Sequence, residues 1–414
     1  MTTAVRSPGA AVRPRPAVRG AVRGAAAYLL APALGLVSGP VLGRALGPTG
    51  RGQFAAIMET LTVAGAFASL GVPAAVVYFI KQGHDPRRVY RLGLAVCLVP
   101  AGLVYGLLLA YAQVVSQEQH LHAGFLAVVW TAVMVQAVVQ VRRAYWQSMS
   151  AWRRLDLERG GFAVARFLAV VGVAVVGVTT AGPYAVAALL AFVLTAGLLW
   201  VRPPPETLSD AGRPGAAALS AYSLSAALGT ISIVANSRLD QVLLTATTSA
   251  HELGLYAVAV TVSEVPLVFG TLMARNALPL ASSGGSLTAL WHELRWYAAG
   301  LAVSTLALLA LVGPAVPLVF GDDFSGAVGP SQLLLLGTFC TSVSLPAVAI
   351  VSGRGWPFLS SLIPTAGLGV TIAAYALCWG EVSAWRAAVI STVSALACAG
   401  TAVVLVRRPM RART

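Results

Sequence analysis

Gln53–Ile80 reads QFAAIMETLTVAGAFASLGVPAAVVYFI, Lys81–Val89 reads KQGHDPRRV, and Tyr90–Val114 reads YRLGLAVCLVPAGLVYGLLLAYAQV. A helix that crosses a bilayer needs about 20 apolar residues. Both long stretches meet that length, and the short gap between them holds Lys81, Arg87 and Arg88, with Arg91 just beyond. The next gap, Val114–Leu121 (VVSQEQHL), holds no Lys or Arg. One basic gap followed by one without cations is the charge pattern of a membrane hairpin whose basic turn stays in the cytoplasm.

Read outward in both directions, the alternation continues. Basic clusters precede the first apolar segment (Arg6, Arg13, Arg15, Arg19, Arg23) and follow the fourth (Arg142, Arg143, Arg153, Arg154, Arg159). They recur after the sixth (Arg202, Arg213), the eighth (Arg295), the tenth (Arg354) and the last (Arg407, Arg408, Arg411, Arg413). Thr245–Leu253, Gly321–Gly326 and Gly380–Ser383 hold none. The fold class is therefore an all-α polytopic membrane protein of about twelve transmembrane helices. Both termini are expected in the cytoplasm.

The expected spans are Ala25–Leu46, Gln53–Ile80, Tyr90–Val114, His122–Gln147, Gly161–Thr180 and Tyr184–Val201, then Ala216–Thr245, Gly254–Ala281, Trp296–Phe320, Ala327–Val351, Pro357–Gly380 and Trp385–Val406. The Pro- and Gly-rich linker at 202–215 (RPPPETLSDAGRPG) divides them into two six-helix lobes, 25–201 and 216–406. Residues 1–24 read as a disordered basic arm and 407–414 as a basic tail. No A-x-A cleavage site ends the first apolar run, so it reads as an uncleaved helix and not a signal peptide.

Composition agrees. Hydrophobic residues make up 57% of the 414 and charged residues 10%, where a soluble domain has roughly 25% charged. Mean hydropathy is +0.80. Little chain is left for a folded aqueous domain. The net charge of +14 lies in the expected cytoplasmic gaps, where topology and anionic headgroups account for it, so nucleic acid is not an expected partner. Cys97, Cys340, Cys378 and Cys398 all lie in apolar segments without C-x-x-C spacing, which suits small buried hydrophobes better than a disulfide framework or zinc site.

The two halves look related. Arg44–Ile57 reads RALGPTGRGQFAAI and His251–Val260 reads HELGLYAVAV. Each sets a Gly two residues before an aromatic, Gly52 with Phe54 and Gly254 with Tyr256, between the first and second helices of its half. Two bundles of like orientation form a common transporter plan, with the substrate path between them.

Ionisable groups within the apolar segments are the sharpest functional pointers, because an unpaired one costs about 2.5–3.5 kcal/mol at mid-membrane. These are Glu59, Arg143, Arg166, Arg238, Asp240, Glu264 and Arg275. Ser225, Gly229, Ser232, Asn236 and Asp240 recur at helical spacing and form one stripe. Arg238 lies about 200° from both Asn236 and Asp240 on an ideal helix, so its partner must lie on another helix or on the substrate. Glu264 and Arg275 share a face about 16 Å apart along the axis, and Pro266 between them can kink the helix. Gln136, Gln140, Arg143 and Gln147 form a further stripe, as do Glu59, Thr62, Ala66 and Ser69.

Small residues in such stripes, including Gly35, Gly39 and Gly43, also read as helix contacts. Two readings stand for Arg143 and Arg166, function and snorkelling to the surface. Arg44 and Arg51, near the outer side, read either as holders of an anionic group or as solvated loop charges. His120 and His122 lack a further nearby metal ligand, and no metal or cofactor is indicated. Asp322 and Asp323 could hold a cation or serve a membrane glycosyltransferase, but such an enzyme needs a larger outer domain than these loops provide. No Walker A, G-x-S-x-G or H-E-x-x-H occurs, so an enzyme is not expected.

Leu46–Phe54 (LGPTGRGQF) followed by Gly71–Ala75 (GVPAA) resembles the N-terminal signature of polysaccharide-biosynthesis flippases. These are the Wzx-type branch of the multidrug/oligosaccharidyl-lipid/polysaccharide exporter superfamily. Arg238–Asp240, Glu252–Ala259, Leu278–Ala281, Val319–Gly321 and Phe324–Ala327 resemble later stretches of that family in the same order. The resemblance implies two six-helix lobes around a cavity that opens alternately to either side. The implied cargo is an oligosaccharide on a polyprenyl diphosphate, moved to the outer leaflet of a bacterial plasma membrane.

On that reading Arg238 and Arg275 meet the diphosphate, with Arg44 and Arg143 as further cavity candidates. Gln136, Gln140 and Asn236 meet sugar hydroxyls, and Glu59, Asp240 and Glu264 are candidates for coupling to a proton or sodium ion. Membrane lipids are partners, with a polysaccharide polymerase and glycosyltransferases as further candidates. Lipid II flippases of the superfamily carry two extra helices not found here, which weighs against a peptidoglycan precursor. A drug antiporter of the superfamily is the alternative, and the cationic residues weigh against it.

Overall fold

The computed structural model describes residues 15–200, 215–282, 287–380 and 382–407. Every element among them is helical. The first half of the chain forms α1 (Arg15–Ser69), α2 (Val72–Lys81), α3 (Pro86–Gln119), α4 (Ala123–Trp130), α5 (Ala132–Ser148), α6 (Trp152–Val175) and α7 (Ala181–Ala196). The second forms α8 (Ala216–Thr245), α9 (Ala250–Ser263), α10 (Leu267–Ser282), α11 (Leu287–Phe320), α12 (Val328–Gly353), α13 (Pro357–Leu377) and α14 (Ala384–Arg407).

Among the described residues, nine helices are long and apolar enough to cross a membrane, or ten if the bent pair α9 and α10 is one span. This is a multi-pass membrane architecture. Splitting α1 at its kink makes two spans of one, and α6, which carries Glu158, Arg159 and Arg166, stands outside that count. The large side chains buried inside include Trp130, Tyr145, Trp146, Tyr184, Tyr256 and Tyr375. Apolar residues also cover the outside: Val175 is 81% exposed and Leu377 86%. An apolar exterior is unfavourable in water and favourable against lipid tails.

The helix breaks follow from local chemistry. Gly47 takes φ 62° with Pro48 after it, and there α1 kinks between the first two expected spans. A positive φ is strained for a residue with Cβ, and Pro bars a regular continuation. Asp85 caps α3 by accepting from the Arg87 N–H at 3.0 Å, with Pro86 at the first helical position. Ser249 caps α9 by accepting from the Glu252 N–H at 3.4 Å, and Glu252 in turn accepts from the Ala384 N–H at 2.8 Å.

Several boundaries depart from the expected ones. The second span breaks at Leu70–Gly71, where both residues take positive φ. The fourth breaks at Thr131. The eighth breaks before α10, with a 50° bend beside Pro266, the residue expected to kink it. The fifth starts at Trp152, before the expected Gly161, because the helix continues past its apolar part into charged residues. Residues 15–24, expected in a disordered arm, belong to α1, while 1–14, the linker at 202–214 and the tail at 408–414 lie outside the described residues.

Helices of each half pack chiefly among themselves, and the halves meet along α1 and α2 against α8 and α9. The repeated glycines form the tightest point of that seam. A Cβ on Gly52 would collide with the Ala250 carbonyl, and a Cβ on Gly254 with the Pro48 carbonyl. Each glycine lets the other half's backbone approach. The crossing lies at the end of the bundle away from the basic turn Lys81–Arg91. Nearer that turn, Tyr78 of α2 stacks on Tyr222 of α8 at 4.2 Å.

Candidate functional site

Where the halves face each other, three charged side chains form one bridge. Arg238 of α8 places its Nη2 2.9 Å from Glu264 Oε1, at the α9–α10 break, and its Nε 3.5 Å from Glu59 Oε2 on α1. Arg238 thus finds its partners on two other helices, as its angle away from Asp240 requires. The side chains are 25%, 36% and 23% exposed respectively. They line an accessible space and are not sealed in a core.

Two further guanidinium groups adjoin the bridge. Arg51 donates to Thr261 Oγ1 at 3.4 Å, and its buried Nε has no hydrogen-bond partner among the described residues. Arg51 and Arg166 of α6 both lie within electrostatic reach of Glu59 and Arg238. Arg166 occupies the middle of α6, because that helix starts earlier than its apolar residues suggest. Three guanidinium groups therefore share Glu59, and Arg238 pairs with Glu264 as well. Charge-assisted bonding between planar guanidinium groups and oxyanions is strong and directional, and it suits carboxylate and phosphate alike.

Asp240 lies apart from this bridge, inside the second half. Its carboxylate accepts from the Tyr256 hydroxyl, from Ser391 Oγ at 2.9 Å and from the Gln241 N–H at 2.7 Å. The Tyr375 hydroxyl donates to the Asp240 carbonyl at 3.2 Å. The stripe on α8 continues toward α13 and α14. Ser232 meets Thr365 at 3.1 Å, and Asn236 Oδ1 accepts from Ser394 at 3.2 Å. One face of α8 thus packs into its own half while Arg238 reaches across to the other.

The remaining expected site residues are dispersed. Arg143 makes a two-pronged pair with Glu158, at 2.6 and 3.0 Å, and reaches Gln140 Oε1 at 3.5 Å. Glu158 is fully buried, although its segment reads in the sequence as a polar gap that gives no signal for it. Gln136 packs against α1 at Gly65, where a Cβ would collide with its Oε1. Arg44 donates to the Leu318 and Val319 carbonyls at 2.6 and 3.0 Å, at the C-terminal end of α11, where a cation complements the helix dipole. Arg275 is exposed on α10. Among the described residues no group of three His, Cys, Asp or Glu could hold a metal ion.

Comparison with known proteins bears on this arrangement. No curated protein matches the chain. Among solved structures it is similar to the lipid II flippase MurJ in an inward closed conformation, with TM-score 0.72 and 10% identity over 94% of this chain and 87% of that one. It is also similar to an inward-facing multidrug resistance transporter of the MATE family, in the MOP superfamily, with TM-score 0.69 and 15% identity over 92% and 96% of the two chains. A eukaryotic MATE transporter shares the fold at TM-score 0.59 and 13% identity over 95% and 96%. At such identities the likeness concerns fold and leaves chemistry to the residues. Residues 17–284, well over half of the chain, match the family of polysaccharide biosynthesis proteins, and the chain belongs to that family.

Proposed function

We propose that this protein is a flippase that moves polyprenyl-diphosphate-linked oligosaccharide from the cytoplasmic to the outer leaflet of a bacterial plasma membrane. The observation that carries the reading is the group of Arg51, Arg166 and Arg238 at the seam between the halves. A diphosphate needs cations, and a cargo held between two bundles can face either side as they rock against each other. The family match and the shared fold with MurJ and MATE structures support transport over catalysis.

On this reading the chain forms two six-helix lobes, 25–201 and 216–406, joined by the linker at 202–215. The basic turns and both termini face the cytoplasm. Arg238 and Arg275 bind the diphosphate, with Arg44 and Arg143 at the margins of the path. Gln136, Gln140 and Asn236 contact sugar, and Glu59, Asp240 and Glu264 couple transport to an ion. A polysaccharide polymerase and glycosyltransferases act as partners after and before it.

The test is depletion of the protein, followed by measurement of lipid-linked sugar and its exposure to a non-permeant glycosidase on protoplasts. Accumulated, glycosidase-protected lipid-linked oligosaccharide is expected, with exposure restored by the wild-type chain. An unchanged lipid pool with altered sensitivity to cationic drugs would replace this reading with a small-molecule antiporter.

A further inference from the structure

We propose that Glu59 and Glu264 are built-in stand-ins for the anionic cargo: they hold Arg238 before cargo binds, and a diphosphate displaces them, breaking an ion pair that crosses the seam between the halves. The inference rests on the flippase reading and adds roles for Glu59, Glu264, Arg51 and Arg166 in opening the seam.

The geometry gives each carboxylate a distinct part. Arg238 and Glu264 both belong to the second half, so their 2.9 Å contact holds the guanidinium in place without joining the halves. Glu59 belongs to the first half, and its longer 3.5 Å contact with Arg238 crosses the seam. A carboxylate and a phosphate present similar oxygen pairs to a guanidinium. A diphosphate offers more oxygens and more charge than either glutamate, so it can compete for the same donors.

Unused cationic capacity lies beside the bridge. Among the described residues the buried Nε of Arg51 has no hydrogen-bond partner, and the guanidinium otherwise meets the Thr261 hydroxyl and the Phe54 ring. Arg166 lies within electrostatic reach of Arg238 as well as Glu59. Asp240 also lies within reach of Arg238, but hydroxyl and amide donors already occupy its carboxylate. The site therefore contains cations that its own carboxylates leave incompletely matched. Bringing cargo to them and releasing Glu59 would be one event, which links binding to movement of the halves.

The experiment uses the full chain in lipid nanodiscs with farnesyl diphosphate as the probe. Binding is measured for wild type, Glu59→Gln, Glu264→Gln, Arg51→Gln and Arg166→Gln. Spin labels on cysteines replacing Gln82 and Arg354, in a Cys378→Ser background, report the distance between basic-side turns of the two halves. Both glutamine-for-glutamate variants are expected to bind about fivefold tighter, the equivalent of one partly exposed ion pair. Both arginine variants are expected to bind more weakly. The diagnostic result is that empty Glu59→Gln adopts the label distance that wild type reaches only with ligand, whereas Glu264→Gln does not.

Wild-type binding with an empty Glu59→Gln distance equal to that of empty wild type would overturn the proposal while leaving the flippase reading intact. Wild type that binds no farnesyl diphosphate, although correctly folded by size exclusion and thermal melting, would overturn both. Should Glu59→Gln fail to fold, Glu59→Asp provides the second variant. Its shorter side chain is expected to weaken the cross-seam contact and give an intermediate distance, and a wild-type distance would count against the proposal.

Discussion

Arg143 and Asp240 are both ionisable groups in the helical bundle, yet their surroundings argue for opposite tests. Arg143 is held by both oxygens of a fully buried Glu158. Removing one partner of such a pair strands a charge and costs about 3–5 kcal/mol. Glu158→Ala is therefore expected to lower the melting temperature and membrane level sharply, and normal values for both would remove this pair from the account of stability. Asp240 accepts three hydrogen bonds from neutral donors, and an Asn oxygen can still accept from some of them. If Asp240 couples transport to an ion, Asp240→Asn should keep stability within about 1 kcal/mol while flipping in proteoliposomes loses its response to an ion gradient. Full retention of that response would end the coupling assignment. Helical angle alone distinguished Arg238 from its neighbours, because an angle about 200° from Asp240 forces a partner elsewhere. Glu158 could not be found that way: it lies outside the apolar run, and its burial depends on how α6 packs on α1 and α7 as well as on Arg143 of α5.

The paired motifs around Gly52 and Gly254 show what a repeat in sequence can mean in space. Both were legible as a Gly set two residues before an aromatic, and the structure turns that similarity into a reciprocal contact. Neither glycine is needed for a positive φ; each is needed because the opposite carbonyl occupies the place of a Cβ. A methyl group there must push α1 and α9 apart, and overpacking of this kind typically costs about 1–3 kcal/mol. Gly52→Ala and Gly254→Ala should each disfavour the closed seam, giving faster modification of a cysteine at Thr261 in the variant than in its parent. Equal modification rates would show that the crossing yields without opening. The breaks in the spans were legible to different degrees for a related reason. Pro48 and Pro266 announce their bends because Pro blocks regular helix hydrogen bonding. Gly71 and Pro73 mark the break after Leu70 in the same way, whereas Thr131 carries no such chemistry and the break there depends on neighbours that sequence alone does not place.

Across the whole molecule, alternating charge and apolar length were enough to place each expected span on a helix or on a broken pair of helices, because lipid exposure demands long apolar surfaces whatever lies inside. The same bilayer constraint says little about interior pairing, so Arg166 reads equally as a snorkelling residue, whereas the full length of α6 places it mid-helix within electrostatic reach of Glu59. Charge alternation also assigns an orientation, and the native cysteines offer a direct test. Cys378 is exposed at the end of α13, next to the gap Gly380–Ser383 that has no Lys or Arg, whereas Cys97 and Cys398 are buried. The positive-inside rule puts that gap outside the cell. A membrane-impermeant maleimide applied to intact cells should therefore label the wild-type chain, and Cys378→Ser should lose the label. Placing the one added cysteine at Gln82, in the exposed basic turn before α3, in a Cys378→Ser background should give labelling only after the membrane is opened. The reversed pattern would invert the whole bundle. It would also place the Gly52–Gly254 crossing on the cytoplasmic side, so that the cargo would have to enter from the end where the halves are most tightly joined.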